Sequence, residues 1–356
     1  MKIQKLILAF CSAFVLVSCD PESAFVETPL GAYDNGVLVL NQGGFGAGNA
    51  SVSFISDDFV TTQNNIFSLV NPSITFGDTA QDIGFYQNLG FAVLNGSNKI
   101  VVFNRYTLEF VTSINTGFAN PRYIAFANNK AYVTNWGSGS NPNDDYVAII
   151  NLLDYSLATA IPVIEGPEKI IVDGNNLYVA HAGGFNYGNK ISVINSLNNS
   201  VTSTITVGDV PNSMQIKDSN LYVLCGGNPN FAPTETAGKL VKIALSNANT
   251  VATVFDFSLL NHPSNLVIAN ANLYYTVSNE IYKTTTTNTV LPTTPLFTTN
   301  AQGAYGIYSF AYHNNSFYIG DAGDYNSDGK VYIYSDSGSL NQNFNVGIIP
   351  AGFYFN

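Results

Sequence analysis

The chain is poor in positive charge: 13 Lys and Arg stand against 24 Asp and Glu, for a formal net charge of −11. A surface of that sign repels nucleic acid and anionic headgroups, which excludes polyanion binding. The apolar run from Leu6 to Val17 falls short of the about 20 residues that span a bilayer. No stretch keeps a helical period for three turns, so helical bundles are excluded. Cysteine is equally scarce. Cys11 and Cys19 sit at the amino end, which leaves Cys225 as the one thiol of the body. No intrachain disulfide framework is available there, and burial must hold the fold.

Catalytic motifs are also missing. There is no His-Glu-x-x-His and no nucleophile elbow, and Gly44-Phe45-Gly46-Ala47-Gly48 lies between strands and opens no helix, so it is not a dinucleotide loop. His262 precedes Pro263 and His313 lies in a turn, where solvated histidines are common. Asp324-x-Asn326-x-Asp328-Gly329 has oxygen ligands at the alternate positions calcium uses, but the twelfth position is Ser335, and a hairpin turn accounts for the same residues. Cys225 has no evident base beside it and reads as a small buried hydrophobe. The Thr-rich run from Lys283 to Asn300 reads as polar outer strand and turn.

What the chain does have begins at residue 1. Lys2 and Lys5 precede the apolar run, and it ends in Leu16-Val17-Ser18-Cys19. This end resembles the lipobox of bacterial lipoproteins. The resemblance implies cleavage before Cys19 and a lipid on its thiol; the alternative is an ordinary signal peptide with an accidental cysteine. Loss of residues 1–18 removes both lysines and no acid, taking the charge from −11 to −13. Residues 19–35 read as lipid anchor and flexible tether, polar and carrying Pro21 and Pro29. Asp20 and Glu22 resemble the surface-export signals of Bacteroidetes lipoproteins. The implied location is the outer membrane, lipid-anchored and facing the cell exterior.

Residues 36–356 are repetitive. Strand ends that read aromatic-Val-x-polar fall at Asn41, Asn95, Asn135, His181, Cys225, Val277 and Asp321, spaced 54, 40, 46, 44, 52 and 44 apart. That is the period of propeller blades. Pro121, Pro167, Pro211 and Pro263 each lie 14 residues before the next such end. Proline lacks a donor and belongs at a strand's first residue, so each unit is a Pro-led strand, a tight turn such as Asn128-Asn129, the aromatic-Val strand, a loop, a third strand and an outer strand. The carboxyl end, Val346 to Phe353, has the Pro-led pattern with no second strand after it, whereas Gly36–Asn41 is a second strand with no Pro-led strand before it. The expected fold is an all-β, seven-bladed β-propeller with four-stranded antiparallel blades, its ring closed by a carboxyl-terminal strand in blade 1.

Ala131-Tyr132-Val133-Thr134-Asn135 followed by Trp136-Gly137 resembles the signature of YVTN-type propeller repeats. The stretches Leu38 to Gly46, Gly77 to Gln81 and Gly329 to Tyr334 resemble a subfamily of Bacteroidetes surface propeller lipoproteins. That subfamily includes proteins that capture cobalamin and pass it to a TonB-dependent outer-membrane transporter. The resemblance implies such a ligand and such a partner, and the lack of a catalytic motif points away from an enzyme. It maps no contact residues position by position.

The residues themselves point to one face. Loops after the second strands carry Phe45, Trp136, Phe185, Tyr187, Phe231 and Tyr325 among Gly, Asn and Ser. Glycine admits close backbone approach, and exposed aromatics give contact area at low entropic cost; mutual packing of the loops is the alternative for any one of them. Residues after the Pro position differ in every blade and include Gln81, Arg122, Glu168 and Tyr308, as a rim shaped for a ligand would. Asn135 and His181 close strands at that face, either as ligand contacts or as hydrogen-bonding ends. The expectation is a binding module without cofactor or metal, for a large, mostly neutral ligand rich in amides or hydroxyls. The competing functions are protein or glycan adhesion, and a lactonase or quinone-dependent dehydrogenase, which would need a central metal with several carboxylates or histidines.

Overall fold

In the computed structural model, which describes residues 29–246, 248–259 and 261–356, the strands form seven four-stranded antiparallel sheets. Blade 3 shows the unit. Pro121–Ala127 lies innermost, followed outward by Lys130–Asn135, Tyr146–Asn151 and Leu157–Pro162. Asn128 and Asn129 both take positive φ, as a two-residue type I′ hairpin requires. The innermost strands touch one another in ring order, including the last against the first.

The ring closes as expected. Pro350–Phe355 pairs antiparallel with Gly36–Asn41, in the register Val37 with Phe355 and Val39 with Phe353. The closing strand starts later than the pattern placed it, because Val346 to Ile348 ends the outer strand of blade 7, Leu340–Ile348. Arg105 of blade 2 clasps the junction. It donates to the Phe355 carbonyl at 2.7 Å and to Asn356 Oδ1 at 2.8 Å, and its guanidinium lies 3.6 Å from the centroid of the Phe85 ring.

Seven apolar clusters hold the ring, each shared by two neighbouring blades. Side chains alternate across a strand. Ala131 and Val133 therefore face blade 2 while Tyr132 faces blade 4, and all three are buried. Burial on both faces explains why the second strands read as continuous apolar runs instead of alternating ones.

Three details depart from the sequence pattern. In blade 1 the outer strand is only Thr62–Gln63, and a short helix, Ile66–Val70, follows it to bury Ile66 and Phe67 between blades 1 and 2. In blade 6 the outer strand is only Phe297–Thr298, so most of the Thr-rich run is irregular. The end of the expected tether is docked: Tyr33 is buried, edge-on to Phe54 at 5.4 Å, and its N–H donates to the Tyr106 carbonyl. Cys19 and the leading segment lie outside the described residues.

Candidate functional site

Strands alternate in direction, so the loops after the second strands and those leading into each innermost strand share one face of the ring. Among the described residues, the seven exposed large aromatics all lie on it: Phe45, Phe185, Tyr187, Phe231, Tyr305, Tyr308 and Tyr325. Phe45 and Phe231 are 86% and 82% exposed at loop tips. The Phe45 loop is held by the Gly46 N–H donating to Asp78 Oδ2, and the Phe231 loop by Thr236, which donates to Asp209 at 2.8 Å.

At the centre of this face opens the channel. Its upper stretch, a cavity of about 430 Å³, is lined by Gln42, Gln81, Arg122, Asn212, Ser264 and Tyr308, among others. Arg122 makes a two-pronged ion pair with Glu168 across blades 3 and 4, at 2.9 and 2.8 Å. The Arg122 guanidinium also lies 3.9 Å from the centroid of the Trp136 ring, and Phe185 meets Trp136 edge-on at 5.6 Å. The charges of Arg122 and Glu168 cancel locally, which leaves the mouth dominated by amides, hydroxyls and rings. On the far side Tyr308 donates to Gln42 Oε1 at 2.6 Å and meets Tyr325 edge-on at 5.9 Å, with Tyr305 beyond it. Burial pushes the Tyr308 hydroxyl up to about 12, so it remains a donor.

The structure thus gathers Gln81, Arg122, Trp136, Glu168, Phe185, Tyr308 and Tyr325 at or beside the mouth, and spreads Phe45, Tyr187 and Phe231 around it. Asn135 and His181 are not at the surface. Asn135 is fully buried; its side chain donates to the Val133 carbonyl and accepts from the Ala119 N–H. His181 is 1% exposed, with Nε2 2.8 Å from Ser192 Oγ and Nδ1 3.2 Å from the Glu165 carbonyl. Burial lowers its pKa to about 4. Both side chains satisfy the backbone of a loop that folds back over the strand end, which is the physical reason a polar residue sits there. The Asp324 carboxylate accepts from the Asn326 and Ser327 N–H groups, which makes that loop a turn. Among the described residues no group of three His, Cys, Asp or Glu side chains is placed to hold a metal ion.

Sequence reasoning missed the residues one place further into the channel. Gln81 Nε2 donates to the Tyr123 hydroxyl at 2.8 Å. Asp82 accepts from the Ile124 N–H at 3.1 Å and from the Tyr354 hydroxyl at 2.9 Å. Lys169 Nζ lies 3.8 Å from the centroid of the Tyr123 ring. The signal was present, since these are the second residues after the Pro position, but a lone Asp or Lys in a strand reads as a solvated face.

The profile of a family described as a domain of unknown function, DUF5074, matches residues 35–318. The chain belongs to the DUF5074 family. No curated protein matches it. Among solved structures, this DUF5074 chain is similar to a quinonprotein alcohol dehydrogenase-like protein from Bacteroides thetaiotaomicron, at 13% identity and a TM-score of 0.65, over 91% of this chain and 78% of that one. It is similar to a functionally unknown protein from Desulfotomaculum acetoxidans, at 11% identity and a TM-score of 0.64, over 90% and 98%. BamB from Moraxella catarrhalis aligns at 12% identity and a TM-score of 0.53, over 88% and 83%. At these identities the likeness shows the propeller fold and nothing of its chemistry.

Proposed function

We propose that this DUF5074 propeller is a binding module that captures a large, mostly neutral nutrient on its aromatic face and hands it on. The observation that carries the reading is the arrangement around the channel: seven exposed aromatics on one face, ringing a mouth where Arg122 and Glu168 pair off their charges. Exposed rings in such number on one side mark an interaction surface. A corrinoid such as cobalamin suits it, being broad, apolar across its faces and edged by amides. The lipobox-like end at Cys19 supports display from the outer membrane toward the exterior, and a TonB-dependent transporter is the partner we propose for hand-over. Reading the protein as a dehydrogenase has less support, since it rests on the fold of structural neighbours no more than 13% identical.

Calorimetry with cobalamin and cobinamide tests the ligand. We expect saturable heat at micromolar protein, lost when Trp136 and Phe185 are both replaced by Ala. Absence of heat with either corrinoid removes the cobalamin reading. Recovery of an outer-membrane protein or a glycan by the same face without corrinoid would support adhesion instead.

A further inference from the structure

Lys169 is a cation the channel leaves without a directly bound counter-charge. It follows Glu168 on the innermost strand of blade 4, Pro167–Asp173, and lines the channel. Arg122 has committed its charge to Glu168. No carboxylate oxygen among the described residues comes within 4.0 Å of Lys169 Nζ, whose close partner is Tyr123, met through its ring and through a side-chain hydrogen bond. Asp82 is near enough to act through space, but its carboxylate already receives the Ile124 N–H and the Tyr354 O–H. Burial raises the Asp82 pKa, toward the neutral form. Burial also opposes the Lys169 charge, but Tyr123, Asp82 and Glu168 outweigh it, and the ammonium stays protonated. An enclosed cation with open donors is costly unless something completes its shell.

The space to do so is present. The upper cavity of about 430 Å³ continues into a lower one of about 500 Å³, and Asp82, Tyr123, Lys169, Asn212, Asn265 and Phe310 line both. Lys169 therefore stands at the waist where the two meet. Tyr123 accepts from Gln81, so its own O–H proton is available to a ligand. The wall that Phe310 and Ala311 contribute is apolar. With the Asp82 carboxyl engaged by the Ile124 N–H and the Tyr354 O–H, one ammonium and one hydroxyl beside an apolar wall are left to suit a singly charged group joined to a hydrocarbon. They do not suit phosphate or sulfate, which need donors on every side.

We propose that the channel waist binds a small organic monocarboxylate, its oxygens on Lys169 Nζ and the Tyr123 hydroxyl and its apolar part against Phe310 and Ala311. The site is separate from the upper face and does not depend on which ligand that face takes.

Calorimetry with benzoate, its neutral counterpart benzamide, chloride and inorganic phosphate tests it. We expect benzoate to bind, with benzamide and the inorganic ions weaker by about tenfold or more, and Lys169→Met to lose benzoate by a similar factor while Lys169→Arg keeps it. Equal binding of benzamide, equal binding of phosphate, no benzoate binding, or undiminished binding by folded Lys169→Met overturns the proposal. If the Met variant does not fold, wild-type protein with carbon-13 dimethylated lysines decides. Benzoate should shift the Lys169 resonance and benzamide should not, and an unmoved resonance overturns the site.

Discussion

Arg122 and Glu168 share two hydrogen bonds across the gap between blades 3 and 4, with their side chains only 14% and 13% exposed. The pair joins two blades at the mouth and keeps it free of net charge. Removing one partner strands the other's charge. We expect Glu168→Gln to destabilise the protein by about 3 kcal/mol in urea unfolding, and a paired Arg122→Met, Glu168→Met variant to recover most of that loss. If the single variant unfolds like wild type, the pair does not hold the blades.

Ring closure gives a second prediction. Deleting residues 349–356 removes the innermost strand of blade 1 together with the Arg105 clasp. It leaves Gly36–Asn41 as an open edge, and open edges aggregate. The truncated chain should lose the cooperative thermal transition of the whole ring, as read by circular dichroism and light scattering. An unchanged melting temperature would mean that closure contributes nothing.

Asp145 sets a pH dependence. It is buried between loops of blades 3 and 4, accepts from the Gly166 N–H, and is raised from 3.8 to about 6, first by burial and then by Asp144 and Glu165. Since the folded value lies above the unfolded one, its contribution to stability is full below pH 3.8 and is lost as pH rises through about 6. Asp145→Asn should therefore stabilise the protein at pH 7.5, by on the order of 1–3 kcal/mol, and change little at pH 3.5. A gain of equal size at both values would show that the carboxyl titrates no differently in the fold.

The loop tips separate binding from stability. Phe45→Ala and Phe231→Ala touch rings that are 86% and 82% exposed, so unfolding should move by less than about 0.5 kcal/mol. Affinity for the face ligand should fall by about five- to thirtyfold for the ring that anchors it. Unaltered affinity in both would confine the site to Trp136, Phe185 and the tyrosines.

The architecture was legible because its cues are local and repeated. Pro121, Pro167 and Pro211 each begin an innermost strand, as a residue without a donor should, and the strand ends recur at blade spacing. Three kinds of feature were not legible. The helix Ile66–Val70 is too short to show a period, and only packing against blade 2 reveals why Ile66 and Phe67 sit there. Asn135 and His181 read as the first residues of open loops, but the loop that leads into each blade's innermost strand passes over the strand end, and its Ala119 N–H or Glu165 carbonyl needs a polar side chain there. Asp82, Tyr123 and Lys169 come from three different blades, and nothing in a linear reading brings them to one waist.

The pairing of Val37 with Phe355 also sets an order of events. A chain that emerges amino end first must keep its opening hairpin unfinished until the last residues arrive. Every intermediate length is thus a molecule with an unsatisfied seam. Such a protein completes its ring in one late step.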